Sequence, residues 1–303
     1  MQTMKRIAVL MGGKSSEREV SLASGRNVAE ALASLGKYEV VPVDLREENL
    51  DALPPGTDAA YIALHGGWGE NGGVQSALNA LKIPYTGPGA EASRTAMDKI
   101  KTKMTLEMNG VPTAPWSLAS PDTPASPLPL PVVVKPPADG SSVGISKVSS
   151  ADGWAAARDL AFSAAGTGGQ GVVLVEEFVP GREFTVGIVG DEALPVLEIV
   201  AKGGWYGYSE KYESDETRYP FLEDGALSEK LRDIALKAYR AVGCRGVSRI
   251  DFRVSPLGRA YVLEINTSPG FTAHSLVPKA GMKTGLSMAE LCDRILSSAD
   301  YDR

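Results

Sequence analysis

Cysteine and histidine are scarce in this 303-residue chain, with two of each. Cys244 and Cys292 make no zinc spacing and are too few for a disulfide framework, which points to a reducing compartment. An excess of positive charge is also missing. The formal net charge of -6 excludes a general attraction to nucleic acid or to an anionic membrane, so an anionic ligand has to be held locally. No apolar run approaches the roughly 18 residues of a membrane span, and the short apolar run Ile7 to Met11 after Lys5-Arg6 is too brief for a signal peptide. A cytosolic protein is expected. What the chain does have, 43% hydrophobic and 22% charged residues, is the balance of a globular protein. Its length exceeds one comfortable core and suits two or three lobes. No internal repeat is evident.

The Gly13-Lys14-Ser15 step near the start invites comparison with a P-loop. That motif needs a glycine five residues before Gly13, and the position is Ala8, inside the apolar run Ile7 to Met11. The P-loop reading fails. A strand running into a Gly-Gly bend remains, with Glu17 displayed at the strand's C-terminal end. Strand-like stretches at Arg6 to Met11, Tyr38 to Val43 and Ala59 to Leu64 alternate with helical ones at Ser16 to Leu35 and Val74 to Leu81. This is the pattern of parallel β-α units and a doubly wound sheet. Turn residues at 84–89 mark a boundary. A single helix is predicted from Glu91 to Asn109 with Gly110 as its cap. A proline-rich connection at 120–131 follows. Further strands are expected at Val132 to Lys135, Val172 to Phe178, Phe184 to Val189, Leu194 to Val200, Ser248 to Val254 and Ala260 to Ile265. Helices are expected around Trp154 to Ala164, Ser228 to Val242 and Ser287 to Leu296.

The strongest chemical signal is a hairpin. Arg249 and Asp251 share one face of its first strand, and Glu264 and Asn266 share one face of its second, with Ser255-Pro256-Leu257-Gly258 turning between them. Two carboxylates and an amide offer hard oxygen ligands suited to magnesium that also bridges phosphates, whereas an isolated pair of this kind is more often a solvated surface. The turn that follows Asn266, Thr267 to Thr272, can face backbone N–H groups toward a ligand. Lys135 ends a strand of valines before the small-residue loop Asp139-Gly140-Ser141-Ser142-Val143-Gly144, which can fold over phosphates or be a plain flexible turn. Lys99 alone reads as a solvated helix lysine. Glu176 to Glu183 ends another strand with acceptors suited to an adenine amino group and a ribose, or with ordinary exposed charge.

Nine strings in order carry a resemblance over essentially the whole chain. They are G-G-K-S-S-E-R-E-V-S-L, A-L-H-G, P-Y-T-G-P-G, M-D-K, D-G-S-S-V-G, E-K-Y, S-D-E-T, R-I-D and E-I-N-T-S-P-G-F-T-A-H-S-L. They resemble the ATP-grasp superfamily and, within it, the D-alanine–D-alanine ligase family. The resemblance implies an α/β (α+β ATP-grasp) fold, with an N-terminal parallel-sheet substrate domain at 1–89 followed by two lobes, 90–179 and 180–303, that hold nucleotide between them. It implies a lid at about 202–219. By position, Lys99 and Lys135 would meet ATP phosphates under a loop holding Ser141 and Ser142. Glu176, Glu177, Val179 and Glu183 would hold adenine and ribose, although Glu177 stands where the family often has lysine. Asp251, Glu264 and Asn266 would bind two magnesium ions, for which manganese can substitute, and an activating potassium ion is a further expectation. Arg249 and the Gly270 N–H would stabilise an oxyanion. Glu17 and His65 would serve the first substrate, His274 a supporting role, and Lys211, Tyr212, Ser275 and Leu276 the second.

The implied reaction is ATP-dependent joining of two D-alanines through a D-alanyl phosphate, for peptidoglycan precursors, by a homodimer in the bacterial cytoplasm with no nucleic-acid or membrane partner. Tyrosine at 212 marks dipeptide makers, against relatives with phenylalanine that also form D-alanyl-D-lactate. Its hydroxyl would join Glu17 and Ser141. Two rival readings stay open: another carboxylate-amine ligase on the same scaffold, and a nucleotide-binding regulator without turnover.

Overall fold

In the computed structural model, residues 4–138, 143–164, 171–201 and 216–302 are described. Strand β1 (Lys5–Gly12) lies between β2 (Tyr38–Leu45) and β3 (Ala59–Ile62) in a parallel sheet. Helix α1 (Arg18–Ser34) connects the first two strands, and α2 (Gly73–Ala80) follows the third. The alternating β-α pattern therefore forms the parallel sheet it suggests. Ile7 and Val9 turn one way, onto Val28 and Leu32 of α1. Ala8 and Leu10 turn the other way, onto Val74 and Leu78 of α2. Because both faces are covered, β1 reads as a continuous apolar run instead of an alternating one.

The expected helix from Glu91 to Asn109 is two helices, α3 (Ala90–Met97) and α4 (Lys99–Met108). Asp98 makes the break. Its backbone is extended, with ψ at 103°, and its side chain accepts from the Ile100 and Lys101 N–H groups. A helix N-cap inside an apolar-periodic stretch interrupts the helix without a proline or glycine. Gly110, with φ at 66°, does cap the second helix. A four-stranded antiparallel sheet follows, in the order β4 (Trp116–Ala119), β7 (Val173–Glu177), β5 (Val132–Lys135), β6 (Ser146–Val148). Helix α5 (Trp154–Ala164) covers one face of it. The proline-rich connection joins β4 to β5 and is pinned by Trp154 and Arg158, which both donate to the Thr123 carbonyl.

The third sheet runs β10 (Leu197–Ile199), β8 (Arg182–Val189), β11 (Val247–Val254), β12 (Ala260–Asn266), with the short β9 (Glu192–Ala193) on β8. Of the strand expected at 194–200 only Leu197–Ile199 forms, and β9 lies ahead of that range. Phe184, Val186, Ile188, Ile250 and Phe252 point into a core closed by α6 (Ala226–Ala241). Strand alternation sends their odd-numbered neighbours to the opposite face. Two last helices, α7 (Leu276–Lys283) and α8 (Met288–Ser297), pack Val277, Leu291 and Ile295 against α1 and the parallel sheet. The chain then returns to the 84–90 connection. Tyr85 pairs with Asp300, and Asp302 accepts from the Asn79 amide, the Tyr85 hydroxyl and the Ala90 N–H.

Candidate functional site

The Gly12-Gly13 bend has φ values of 89° and 85°, a region open to glycine. Its amides are already used: Gly12 N–H donates to Ser21 Oγ and Gly13 N–H to the Leu45 carbonyl. Arg18 clamps the bend through the Leu45 and Gly13 carbonyls and a two-pronged pair with Asp44. A phosphate cradle needs inward-facing amides, so this corner is a bend that displays Glu17 at the start of α1. Opposite Glu17 stands Gly66, at φ 67°, where an added Cβ would sit 2.8 Å from Glu17 Oε2. Glycine there is demanded by both the backbone and the close approach of the carboxylate.

His65, the neighbour of Gly66, is buried, and both ring nitrogens are engaged. Nδ1 lies 2.9 Å from the Ser268 carbonyl, which can only accept, so Nδ1 carries the proton. Nε2, at 3.1 Å, accepts from the Ser24 hydroxyl, which in turn accepts from the Phe271 N–H. Ser268 closes the loop by donating to the Leu64 carbonyl. These bonds tie the A-L-H-G stretch to the turn after β12. Sequence reasoning passed over Glu70. Its Oε1 lies 3.8 Å from His65 Nδ1. Burial, resisted by His65 and reinforced by the Glu17 charge, pushes its carboxyl up. The one signal for it was a glutamate in the glycine-rich run that follows A-L-H-G.

The second cluster lies in the four-stranded sheet. Glu176 stands opposite Val133, so Lys135, two residues on, shares its face diagonally. Lys135 pairs with one oxygen of the Glu176 carboxylate and Lys103 with the other. Lys103 and Glu176 are each 2% exposed. Burial pushes the Glu176 carboxyl up, but Lys135 and Lys103 together override it and hold it down at about 2. Lys103 was not foreseen. Its signal is the i, i+4 spacing from Lys99, which places both lysines on one side of α4. Lys99 opens that helix, and its N–H donates to the Pro137 carbonyl just past Lys135. Glu177 is exposed and Val179 buried. Arg253 holds the Val179 carbonyl and Glu183.

The third cluster is the face of the third sheet opposite its apolar core. Asp251 pairs across strands with Glu264 on one side and Thr185 on the other, and Arg249 with Asn266. A bulge at Leu263 follows, where the register slips between Asp251 and Phe252. Arg249 grips Asp251 with Nε and Nη2 at 2.9 and 2.7 Å. Thr185 donates to the same carboxylate at 2.6 Å and the Asn266 amide at 3.1 Å. The hairpin and its facing residues are as the sequence predicts. Beyond it, Ser275 caps α7 and its Oγ accepts from the Thr272 N–H. An added Cβ on Gly270 would come within 2.8 Å of that oxygen. Leu276 is the first residue of the helix and is buried, whereas His274 is exposed. Ser141, Ser142, Lys211 and Tyr212 lie outside the described residues, as does most of the expected lid.

A parallel sheet followed by two antiparallel sheets, one bearing buried lysines and the other a row of oxygen donors, is the layout of an ATP-grasp ligase. Known proteins agree with it. A family described as the D-ala D-ala ligase C-terminus matches residues 106–297, and one described as the D-ala D-ala ligase N-terminus matches residues 6–53. The D-alanine–D-alanine ligase of Bordetella avium is 45% identical over 98% of this chain and 96% of its own length. That of Nitrosospira multiformis is 45% identical over 97% and 96%. The crystal structure of the Bacillus anthracis D-alanine–D-alanine ligase complexed with ATP superposes with a TM-score of 0.83 at 31% identity, covering 97% of each chain. The chain belongs to the D-alanine–D-alanine ligase family.

Proposed function

We propose that this chain joins two D-alanines into D-alanyl-D-alanine with ATP, supplying peptidoglycan precursors. The observation that carries the reading is the charged face of the third sheet, where Thr185, Arg249, Asp251, Glu264 and Asn266 meet in register. A carboxylate is a poor electrophile and must be activated. One carboxylate oxygen of the first D-alanine attacks the γ-phosphorus of ATP, the bond to the ADP oxygen breaks, and a D-alanyl phosphate forms. The neutral amine of the second D-alanine attacks the acyl carbon, phosphate leaves with the bonding pair, and the surplus amine proton is released.

Lys99 and Lys135 meet the phosphates of ATP, and Ser141 and Ser142 close over them. Glu176, Glu177, Val179 and Glu183 face adenine and ribose. Glu17 receives the first ammonium, with His65 and Glu70 holding the wall behind it. Arg249 and the Gly270 N–H take the developing oxyanion. Lys211, Tyr212, Ser275 and the Leu276 end of α7 receive the second substrate, whose carboxylate suits a helix N-terminus.

Asp251, Glu264 and Asn266 supply three oxygen donors from adjacent strands, a set that fits a hard divalent cation. Two magnesium ions, or manganese in their place, would neutralise charge on the transferring phosphoryl group. For Asn266 to contribute, its amide must turn its oxygen toward Asp251, where its nitrogen now donates. An activating potassium ion, a homodimer and a cytoplasmic location belong to the same reading, as does the division at 89 and 179. Among the described residues no helix is long and apolar enough to cross a membrane.

The test is a coupled ADP-release assay with a panel of D- and L-amino acids, with the product identified by mass. D-alanyl-D-alanine formed in step with ADP is the expected result. ADP release with another amino acid but not D-alanine would move the chain to a different carboxylate-amine ligase, and no ADP release with D-alanine and magnesium would favour a regulator.

A further inference from the structure

Lys103 has no part in the reading above, yet it is the most deeply buried cation among the described residues. Its ammonium has three donors, and three acceptors surround it: a Glu176 oxygen, the Thr113 hydroxyl at 2.6 Å and the Ala114 carbonyl at 3.2 Å. Two hydrogen bonds and an ion pair thus hold it on three sides. Thr113 in turn donates to the Val262 carbonyl of β12, so the same lysine is braced against the strand that carries Glu264 and Asn266.

Lys135 is placed differently. Among the described residues its ammonium pairs with the other Glu176 oxygen. It stands at the end of its strand, beside the loop expected to cover the phosphates, and it is the more exposed of the two lysines. A triphosphate presents far more negative charge than one carboxylate, so Lys135 has reason to leave Glu176 when nucleotide binds. Were it the sole partner of Glu176, its departure would strand a buried carboxylate next to an incoming polyanion, an arrangement that strongly opposes binding.

We propose that Lys103 is a positioning residue for nucleotide: it stays on Glu176 as a fixed counter-charge, which keeps that carboxylate ionised and in place while Lys135 turns to the phosphates. The inference rests on reading this cleft as the ATP site. It makes the pair of lysines unequal, one a permanent partner and the other a mobile one. It also explains why a lysine lies in the interior of the lobe, on the buried carboxylate of Glu176.

The test compares the parent with Lys103→Met, Lys103→Arg and Lys103→Met/Glu176→Gln. ATP and D-alanine Michaelis constants are measured by ADP release, and ADP binding by calorimetry from pH 5.5 to 8.5 in buffers of different ionisation heat. In Lys103→Met the ATP constant should rise roughly 10- to 100-fold, the equivalent of one charge-assisted hydrogen bond, with the D-alanine constant unchanged. A carboxylate without its fixed partner must take up a proton as nucleotide binds. The variant should therefore bind ADP more weakly as pH rises and show proton uptake beyond the parent's, the nucleotide's own titration cancelling in the difference.

Lys103→Arg should restore part of the affinity. The double variant, which has no buried carboxylate to strand, should lose the extra proton uptake and fold even if the single variant does not. Equal ATP constants in parent and Lys103→Met overturn the proposal, as does excess proton uptake that persists in the double variant. A parent that binds no ADP defeats the ATP-site reading instead, before any variant is compared.

Discussion

Replacing Arg249 by methionine separates the structural work of the third cluster from its chemistry. The change keeps a long side chain and removes the guanidinium that grips Asp251 at 2.9 and 2.7 Å. Asp251 is 4% exposed, and its charge would stay inside with the Thr185 hydroxyl and the Asn266 amide still donating to it. Removing one side of a buried pair costs about 3 to 5 kcal/mol. The remaining donors and the partial exposure of Arg249, 18% for its side chain, lower that to roughly 2 to 3 kcal/mol. At about 2 to 4 °C per kcal/mol for chains of this general size, the melting temperature should drop by roughly 5 to 10 °C. Turnover should fall further, by about 100- to 1000-fold, if the same guanidinium meets the oxyanion.

The assay is scanning calorimetry beside ADP release, with Arg249→Met/Asp251→Asn as the second variant. Taking away both charges removes the stranded carboxylate, so the double variant should recover most of the lost melting temperature and none of the activity. A single variant that melts with the parent would refute the argument that Asp251 depends on Arg249. A double variant as unstable as the single one would show that the cost lies in packing and not in charge.

The remaining expectations concern the nucleotide cleft and the lid. Lys135→Ala should raise the ATP Michaelis constant by roughly 10- to 100-fold while the melting temperature moves little, because Lys103 still holds Glu176. A raised D-alanine constant with the ATP constant unchanged would place Lys135 in the wrong pocket. The Glu176 carboxyl is held at about 2, below its ordinary range, so its contribution to stability is complete above that range and is lost as pH falls toward 2. Glu176→Gln should therefore flatten acid unfolding followed by circular dichroism over that window, and an unchanged slope would discount the pair. Tyr212→Phe should keep dipeptide synthesis and raise the ratio of ester to dipeptide about tenfold when D-lactate competes with D-alanine, the effect of one neutral hydrogen bond lost. An unchanged ratio would remove Tyr212 from the control of selectivity.

Much of this was legible because alternation is a local property. Once Arg249 to Val254 is a strand, the period of two puts Arg249 and Asp251 on the face opposite Ile250 and Phe252; the turn at 255–258 alone would set Asp251 against Leu263, and it is the bulge at Leu263 that brings Glu264 and Asn266 beside them. The pairing of Lys135 with Glu176 was not legible, because it depends on which strands of the antiparallel sheet are neighbours, and β7 inserts between β4 and β5 out of chain order. Lys103 and Glu70 were missed for a related reason. Each is an ordinary charged residue in its own segment, and only burial against a distant partner makes it matter. Asp98 was readable in principle: an acid one residue before Lys99, inside a long helical pattern, is as good an N-cap as it is a helical residue. The apolar period on both sides hid the break.

The two clusters share a physical design that follows from what they are proposed to bind. A cleft meant for a triphosphate needs several cations close together, and without ligand those cations repel one another in a place from which water is partly excluded. Here each principal cation rests on a carboxylate, Lys135 on Glu176 and Arg249 on Asp251, and each carboxylate has a further anchor, Lys103 for the first and the Thr185 hydroxyl for the second. On the proposed reading Lys103 keeps Glu176 neutralised when Lys135 turns to a ligand, whereas Thr185 orients Asp251 without neutralising it, so Asp251 would need a bound cation in place of Arg249. On that reading Glu176 and Asp251 hold the cations before anything enters, and the strength of those pairs sets how much of the binding energy goes into opening them.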